Sequence, residues 1–411
     1  MSATTALRLL GGIPRDGRPP SLAEHITLYG EAPLELQPRE LIERVAESGL
    51  TGRGGAGFPT AAKLKAVLRS GPRPVVVANG LEGEPPSGKD KVLLAQAPHL
   101  VIDGALLAAR AVSAKQAIVA TTAATRPFVA QALGERRGRN AGIKVQSVVL
   151  PDRFVAGEES ALVHFLNGGP ALPTFTPPRP YERGVGEAPT AVLNVETLAH
   201  LALIARFGAA WFRTMGTRAE PGSALVTVSG AVREPGVYEV ELGSPFSALL
   251  DDAGADGDAQ ACLVGGYFGT WVDAASVRDA AVSNAGLAPF GASLGARAIV
   301  VLPHDACGIA ETARIARYLA GESAGQCGSC FHGLPAIADS LEQLVTRSRG
   351  KPNDGVLRHR LAQVANRGAC RHPDGAVALV ASALRVFSTE LERHLHGQRC
   401  TKHSRTVVPI P

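Results

Sequence analysis

Aromatic residues are only 5% of this 411-residue chain, and no apolar run approaches the roughly 20 residues of a membrane span. The first scarcity leaves few platforms on which nucleic-acid bases stack, and the second argues against a membrane-spanning protein. Six cysteines (Cys262, Cys307, Cys327, Cys330, Cys370, Cys400) are too few and too unevenly spaced for a disulfide scaffold in a chain of this size. Metal or redox use is the better expectation for them. Charge of one sign is lacking too: 42 Lys and Arg face 37 Asp and Glu, for a net +5. The basic residues are dispersed except in the tail "RHLHGQRCTKHSR", so no nucleic-acid partner is expected. The start, "MSATTALRLLGGIPRDG", has no long apolar stretch closed by a small-residue cleavage site. Cytoplasmic residence is therefore expected, with the inner membrane face reached only through partners.

What is present is material for a core. With 45% hydrophobic and 19% charged residues the chain suits two to four globular domains. Strand-like runs "RPVVVAN" (73–79), "QAIVATT" (116–122) and "IKVQSVVL" (143–150) alternate with helical ones such as "HLVIDGALLAARAV" (99–112). That alternation implies an α/β domain with a mostly parallel sheet covered on both faces. The segment "FTPPRPYERGVGEAP" (175–189) is too rich in proline and glycine for regular structure and reads as a long functional loop. After residue 222 the pattern becomes two alternating strands around a Pro-Gly turn, "ALVTVSGAVREPGVYEVEL", and a small β-grasp domain is expected. From His304 onward the chain is helical. In its last helix Val377, Val380, Leu384, Phe387, Leu391 and Leu395 recur at three- and four-residue steps, one buried face of a bundle.

Three stretches of the α/β region carry polar chemistry. "SGLTGRGGAGFPTAAKLK" (48–65) holds Gly52, Arg53, Gly54, Gly55 and Gly57, followed by Phe58, Thr60 and Lys63. The G-x-G-x-x-G spacing alone is a weak signal, and "PRELIERVAES" before it is helical where a dinucleotide fingerprint needs a strand. Glycines without Cβ let amides approach an anion or a ring, Thr60 opens a helix whose start favours phosphate, and Lys63 lies one turn in. A tight inter-element turn would use the same residues. "VVVANGLEGEPPSGKDK" puts Asn79, Glu82, Glu84 and Lys89 at the carboxyl edge of a strand. "RFVAGEESAL" opens a helix with Gly157, Glu158 and Glu159, carboxylates that also suit plain macrodipole partners.

These stretches, with "PTAVLNVETLA", "VSGAVREPGVYEV" and "CGSC…GAC", occur in the order found in the flavin- and NADH-binding F-type (51 kDa) subunit of NADH:quinone oxidoreductases. The chain resembles that family over roughly residues 26–390. The resemblance implies a Rossmann-like flavin-binding domain (49–222) after an N-terminal arm and helix (1–48). A β-grasp, ubiquitin-like SLBB domain (223–290), a helical iron-sulfur-binding domain (291–395) and a basic, disordered tail (396–411) follow. It implies FMN, NAD(H) and a 4Fe-4S cluster, a flavin being suited to accept hydride and release single electrons. Gly52, Gly54, Lys63, Asn79, Glu82, Gly157, Glu158 and Asn194 match FMN-contacting positions. Phe58, Glu84 and Glu159 match nicotinamide-nucleotide ones, with the two glutamates orienting the nicotinamide and Phe58 stacking. The implied partner is a ferredoxin-like or membrane-reductase electron acceptor within a hetero-oligomer.

The chain also departs from that pattern. Where the family reads N-A-D-E this chain has "NGLE", so Leu81 stands for a carboxylate and raises the expected flavin potential. "TPPR" replaces K-P-P-F, putting Thr176 and Arg179 where a lysine and an adenine-stacking phenylalanine belong, and Ala66 and Leu193 replace an aromatic and an asparagine. The cluster loop C-G-x-C-x-x-C reads Ala324-Gly325-Gln326-Cys327-Gly328-Ser329-Cys330, with Cys370 as the distant ligand. Three thiolates leave one iron to water, to another residue such as His332 or His372, or to loss. Cys307 begins a helix that holds it about 20 Å or more from the loop. A dead site of inherited cysteines, or zinc in a Cys₃His site, fits the same residues. Two functional alternatives stay open: a flavoprotein with a donor other than NADH, and a cofactor-poor paralogue serving assembly or docking.

Overall fold

The structure, a computed structural model, describes residues 7–13, 17–255, 257–346, 353–398, 402 and 406–411. By contacts the chain forms two compact units. The first takes residues up to Gly83, then Gly88–Leu225 and Glu239–Gly243; the second takes Glu84–Ser87, Val226–Tyr238 and Ser244–Pro411.

The first unit runs α1 (Leu22–Tyr29), α2 (Pro38–Ser48), α3 (Thr60–Ser70), β1 (Val75–Asn79), α4 (Lys89–Gln96), α5 (Pro98–Ala111), β2 (Gln116–Thr121), α6 (Arg126–Glu135), β3 (Lys144–Val149), α7 (Glu159–Leu166), β4 (Thr190–Asn194) and α8 (Val195–Phe212). Its four strands are all parallel, in the order β3-β2-β1-β4. Val76, Val77 and Ala78 of β1 are fully buried, as expected of strands covered on both faces. The order reverses beside β1, with β2 and β3 on one side and β4 on the other. The register sets Asn79 directly beside Asn194. Such a reversal opens a crevice past the strands' carboxyl ends, where ligands of open α/β sheets bind. Helix α5 is buried along almost its whole length, and Gly104 permits this, since a Cβ there would stand 2.0 Å from the Leu198 carbonyl of α8.

Buried charges tie the N-terminal helix to this unit. Asp103 of α5 accepts from His25 Nε2 of α1 (2.7 Å), from Arg136 Nη1 (2.6 Å) and from Arg206. Burial opposes its ionisation, but the His25 bond and the two guanidiniums hold its carboxyl well below the usual range. Its stabilisation is therefore complete above the ordinary carboxylate pKa and is lost only as pH falls far into acid. Asp103→Ala strands two buried cations and is expected to cost about 3–5 kcal/mol, read as a lower urea midpoint at neutral pH. An unchanged midpoint would refute the assignment.

The second unit holds the Val226–Gly230 part of β5 (Ser223–Gly230) and the Gly236–Tyr238 part of β6 (Gly236–Glu241), then α9 (Phe246–Asp252), β7 (Ala261–Val264), β8 (Thr270–Asp273), α10 (Ala274–Val277), α11 (Asn284–Leu287) and β9 (Ala298–Leu302). After them come α12 (Gly308–Gly321), α13 (Leu334–Thr346), α14 (Asp354–Val364), α15 (His372–Val386) and α16 (Ser388–Leu395). The sheet order is β6-β5-β9-β7-β8. This corrects the boundary at residue 290. β9 lies beyond it in sequence yet is the central strand, parallel to β5 and antiparallel to β7, because an all-apolar AIVVL run is satisfied only in the middle of a sheet.

Nor are the β-grasp and helical parts separate bodies. The Trp271 amide of β8 donates to Ser382 Oγ of α15 (3.0 Å), and its fully buried ring meets Phe387 edge-on at 5.2 Å. The face expected of the last helix is largely observed: Val380, Leu384, Phe387 and Leu391 are buried while Val377 and Leu395 are half-buried, and the run breaks at Phe387 between α15 and α16. Most of the tail predicted as disordered is otherwise in its described residues. Val408 is buried, the amides of Val407 and Val408 donate to Glu311 Oε2 (3.3 and 2.8 Å), Pro409 accepts from the Tyr267 hydroxyl, and Lys402 Nζ donates to Glu390 (2.9 Å). Apolar Val-Val-Pro-Ile at the chain's end outweighs the basic stretch before it. Cys400 lies outside the described residues.

Candidate functional site

Helix α2 ends on Gly49 in the left-handed conformation (φ 73°, ψ 18°), as the sequence predicted, so the glycine loop follows a helix. The loop is closed at its neck by backbone bonds, Gly52 N–H to Phe58 O (2.8 Å) and Thr60 N–H to Leu50 O (3.0 Å). Between them Gly54, Gly55 and Ala56 are exposed, with their amides outside the sheet ladders. Gly57 sits at φ +62°, which an L side chain resists. Arg53 departs from its expected role as a cofactor ligand. Only 2% exposed, its guanidinium donates to the carbonyls of Pro221 (3.2 Å) and Ser223 (3.1 Å), while its amide donates to Thr197 Oγ1 (2.8 Å). It anchors the loop from beneath.

The other two stretches converge on this loop within the first unit. A Cβ on Gly54 would lie 3.2 Å from the Asn194 Cβ. Asn194 caps α8 through its Oδ1, which accepts the Glu196 amide (3.0 Å), and its Nδ2 donates to Asp90 Oδ2 (2.7 Å). Asn79 Nδ2 donates to the Gly157 carbonyl (2.8 Å), and a Cβ on Gly157 would crowd the Leu81 carbonyl at 3.3 Å. Glu158 caps α7, accepting the amides of Ser160 (2.9 Å) and Ala161 (3.0 Å). Lys63 Nζ spans the gap, donating to Glu159 Oε2 (2.9 Å) and to the Val192 carbonyl of β4 (3.2 Å). Glycine loop, strand ends and acidic helix start thus form one connected rim around the crevice between β1 and β4.

Beneath the rim lies a buried charge cluster that the sequence reading only touched at Lys89. Lys89 Nζ contacts Asp90 Oδ1 (2.7 Å) and Glu196 Oε2 (3.0 Å), with all three residues under 5% exposed. Glu82, expected to touch the flavin, caps α4 by accepting the amides of Asp90 (3.2 Å) and Lys91 (2.9 Å). Burial pushes the Asp90 carboxyl up to about 7; the Lys89 ammonium opposes this, and the negative charges of Glu82 and Glu196 add to it. Asp90 and Glu196 were missed because "KDK" and "NVETLA" look like ordinary helix starts. Only the fold brings them under Asn194.

Phe58, at 54% exposed, stands free on the rim. A second exposed aromatic, Phe175 (74%), went unassigned in the sequence reading. It follows Thr174, whose amide donates to Ser160 Oγ (2.9 Å) next to Glu159. The loop after it is irregular apart from one short turn at Val185–Glu187, and Thr176 and Arg179 are exposed. Leu81 is turned into the core beside Ala156 and Leu162, so this part of the site is apolar where an acid was replaced. Glu84 belongs to the second unit. There its Oε1 accepts the Tyr267 amide (2.6 Å) and its carboxylate occupies the space a Cβ on Gly266 would need.

In the second unit Cys327, Cys330 and Cys370 come within electrostatic reach of one another. Burial and the neighbouring Cys327 and Cys370 push the Cys330 thiol up to about 12. Burial also disfavours the Cys327 thiolate, but hydrogen bonds from the Ala369, Cys330 and Ser329 neighbourhood prevail and lower its pKa. Among the described residues no three His, Cys, Asp or Glu side chains converge on the position of a single ion, so the short bonds of a zinc site are not laid out here. His372 Nε2 lies 2.7 Å from the Leu319 carbonyl, and His332 is exposed with its ring against Phe331.

The donor sets answer differently to the implied groups. The crevice suits a flavin nucleotide: exposed glycine amides, two asparagines at strand ends and a lysine meet there, and a Cβ on Gly54 or Gly157 would crowd Asn194 or Leu81. The three thiols would offer only three of the four ligands a cubane cluster ordinarily takes, so the fit there is incomplete. Comparison with known proteins agrees with the layout. Residues 45–203 match the Nuo51 FMN-binding domain, 225–259 the SLBB domain and 310–394 the NADH-ubiquinone oxidoreductase-F iron-sulfur binding region. The F 2 subunit of NADH-quinone oxidoreductase from Rhizobium meliloti is 31% identical over 90% of this chain and 92% of its own. The corresponding F subunit from Escherichia coli is 29% identical over 87% and 84%. In crystal structures of an NAD+-reducing NiFe-hydrogenase, the H2-reduced form superposes with a TM-score of 0.82 at 31% identity, over 88% of this chain and 63% of that one. No single helix among the described residues is long and apolar enough to cross a membrane. With matched domains in the same order and relatives aligned along nearly its whole length, the chain belongs to the family of F-type subunits of NADH-quinone oxidoreductase.

Proposed function

We propose that this chain oxidises NADH at a bound FMN and passes single electrons to an iron-sulfur cluster, as one subunit of a hetero-oligomer. The observation that carries the reading is the crevice at Asn79 and Asn194, rimmed by Gly54, Gly157 and the Lys63–Glu159 pair. FMN, when bound, supplies the two-electron to one-electron conversion. The protein's part is alignment: Lys63 is fixed by Glu159, the start of α7 is fixed by Glu158, and Phe58 is free to stack. Hydride transfer gains from such positioning without a general acid. Of the two carboxylates assigned to the nicotinamide, Glu159 is carried forward on this rim. The acceptor is a ferredoxin-like or membrane-reductase partner, which would bring the chain to a membrane face without a span of its own.

Anaerobic purification of the full chain, followed by its absorption spectrum, flavin, iron and sulfide analysis and NADH addition, tests this. A flavin band bleached by NADH is expected; bound zinc without flavin would end the reading. We also assign adenine stacking to Phe175, which takes over from the phenylalanine lost at position 179. Phe175→Ala should raise the KM for NADH about tenfold, within the ~1–3 kcal/mol of an aromatic–base stack, with kcat and flavin content unchanged. Loss of kcat with KM unmoved would refute the assignment.

A further inference from the structure

We propose that the Asp90 carboxyl answers the charge of the cofactor: it gains a proton when the phosphate-bearing FMN enters the crevice, so that retention of FMN weakens as pH rises. The inference rests on the reading of the crevice as a flavin site and adds a regulation to it. Asp90 and Glu196 share the single ammonium of Lys89 (2.7 and 3.0 Å), Glu82 faces the same cluster, and none of the four residues is more than 5% exposed. Fully ionised, three negative charges would face one positive charge away from water. Carboxylates crowded into one buried site do not all ionise together, and one of them is held neutral.

The hydrogen bonds single out Asp90. Glu82 accepts the backbone amides of Asp90 and Lys91, and Glu196 accepts the Leu225 amide (2.9 Å). Among the described residues Asp90 has side-chain partners alone, Lys89 Nζ on Oδ1 and Asn194 Nδ2 on Oδ2, each at 2.7 Å. A neutral carboxyl keeps both, its carbonyl oxygen accepting from Asn194 and its hydroxyl oxygen from Lys89. Proton gain therefore leaves Asn194 in place. Burial pushes the Asp90 carboxyl up to about 7, against Lys89 of its own helix and with Glu82 of the loop after β1 and Glu196 of α8. His200 Nε2 stands 3.9 Å behind Glu196.

One side of the crevice suits an anion. The start of α7 carries Glu158 and Glu159, and Lys63 is already paired with Glu159 (2.9 Å). Across from them the exposed amides of residues 54–56 lie on the Asn194 side, where a Cβ on Gly54 would come 3.2 Å from the Asn194 Cβ, and Asn194 is bonded directly to Asp90. A phosphate monoester of about −1.5 to −2 charge settled on those amides meets ionised Asp90 as a like charge. Solvent supplies the proton, one O–H bond forms at Asp90, and no electron moves.

The full chain, freed of flavin, is titrated with FMN and with riboflavin from pH 6 to 8, as the parent and as Asp90→Asn, with proton uptake read in weakly buffered solution. Comparing parent with variant cancels the titration of FMN itself. The parent's Kd for FMN, relative to the variant's, should rise about tenfold over that interval, with about one proton taken up per FMN at pH 8. Riboflavin, which lacks the phosphate, should show neither effect. The proton count on the parent stands even where Asp90→Asn does not fold. Equal slopes for parent and variant, no proton uptake, or the same uptake with riboflavin would overturn the inference. Should the parent bind neither ligand at any pH, the flavin reading of the crevice fails and the inference with it, a result distinct from the others.

Discussion

Gly54→Val is expected to lower FMN retention by about five- to hundredfold while leaving the unfolding midpoint near the parent's, an overpacking cost of ~1–3 kcal/mol paid mainly by the bound state. The reason is the position of Asn194. A Cβ at residue 54 would already lie 3.2 Å from the Asn194 Cβ, and valine adds two methyl groups. Asn194 has nowhere to retreat, since Oδ1 is held by the Glu196 amide and Nδ2 by Asp90. The exposed loop therefore moves outward, and the amides it presents to a flavin move with it. Flavin-to-protein ratio after purification, with thermal unfolding alongside, reads both halves of the expectation. Full flavin content in the variant would show that the glycine loop is a turn and nothing more.

Lys89→Met should destabilise the fold by about 3–5 kcal/mol, because it leaves the Asp90 and Glu196 carboxylates buried together without their shared cation. The effect should depend on pH, with a definite sign. Asp90 is pushed up to about 7 in the folded protein. A carboxyl raised above its unfolded value stabilises the fold fully below that unfolded value, and the contribution is lost as pH rises through the folded one. Removing the ammonium takes away the main influence holding Asp90 down, so the variant's deficit should be greatest above pH 7 and shrink toward pH 4. Urea midpoints for parent and variant across that interval measure it. A deficit of equal size at every pH would mean that Lys89 serves by packing alone.

Much of the first unit was readable residue by residue, for local reasons. The runs at 75–79 and 116–121 are apolar enough to be strands buried on both faces, the run at 144–149 forms the half-buried edge strand, and Gly49 after an amphipathic stretch marks a helix end. The three polar stretches were likewise visible as loops and helix starts, and they do meet. Their roles within the site were less visible. Arg53 and Glu82 looked like ligands because charge beside glycine invites that reading, yet each is bound to backbone groups of its own unit. The Lys89–Asp90–Glu196 cluster joins residues more than a hundred positions apart, and no spacing rule anticipates such a meeting.

By itself, the order of residues determined the α/β alternation, the glycine loop, the presence of three thiols and the absence of a cysteine at position 324. Each of these depends only on side-chain chemistry or on neighbours a few positions away. Tertiary structure decided which strand ends face one another, that β9 crosses the expected domain boundary to become a central strand, and that the chain's last residues dock on Glu311 rather than trail into solvent. Those outcomes are settled by competition among distant segments for the same buried space and the same unpaired backbone groups. A local pattern carries no record of that competition.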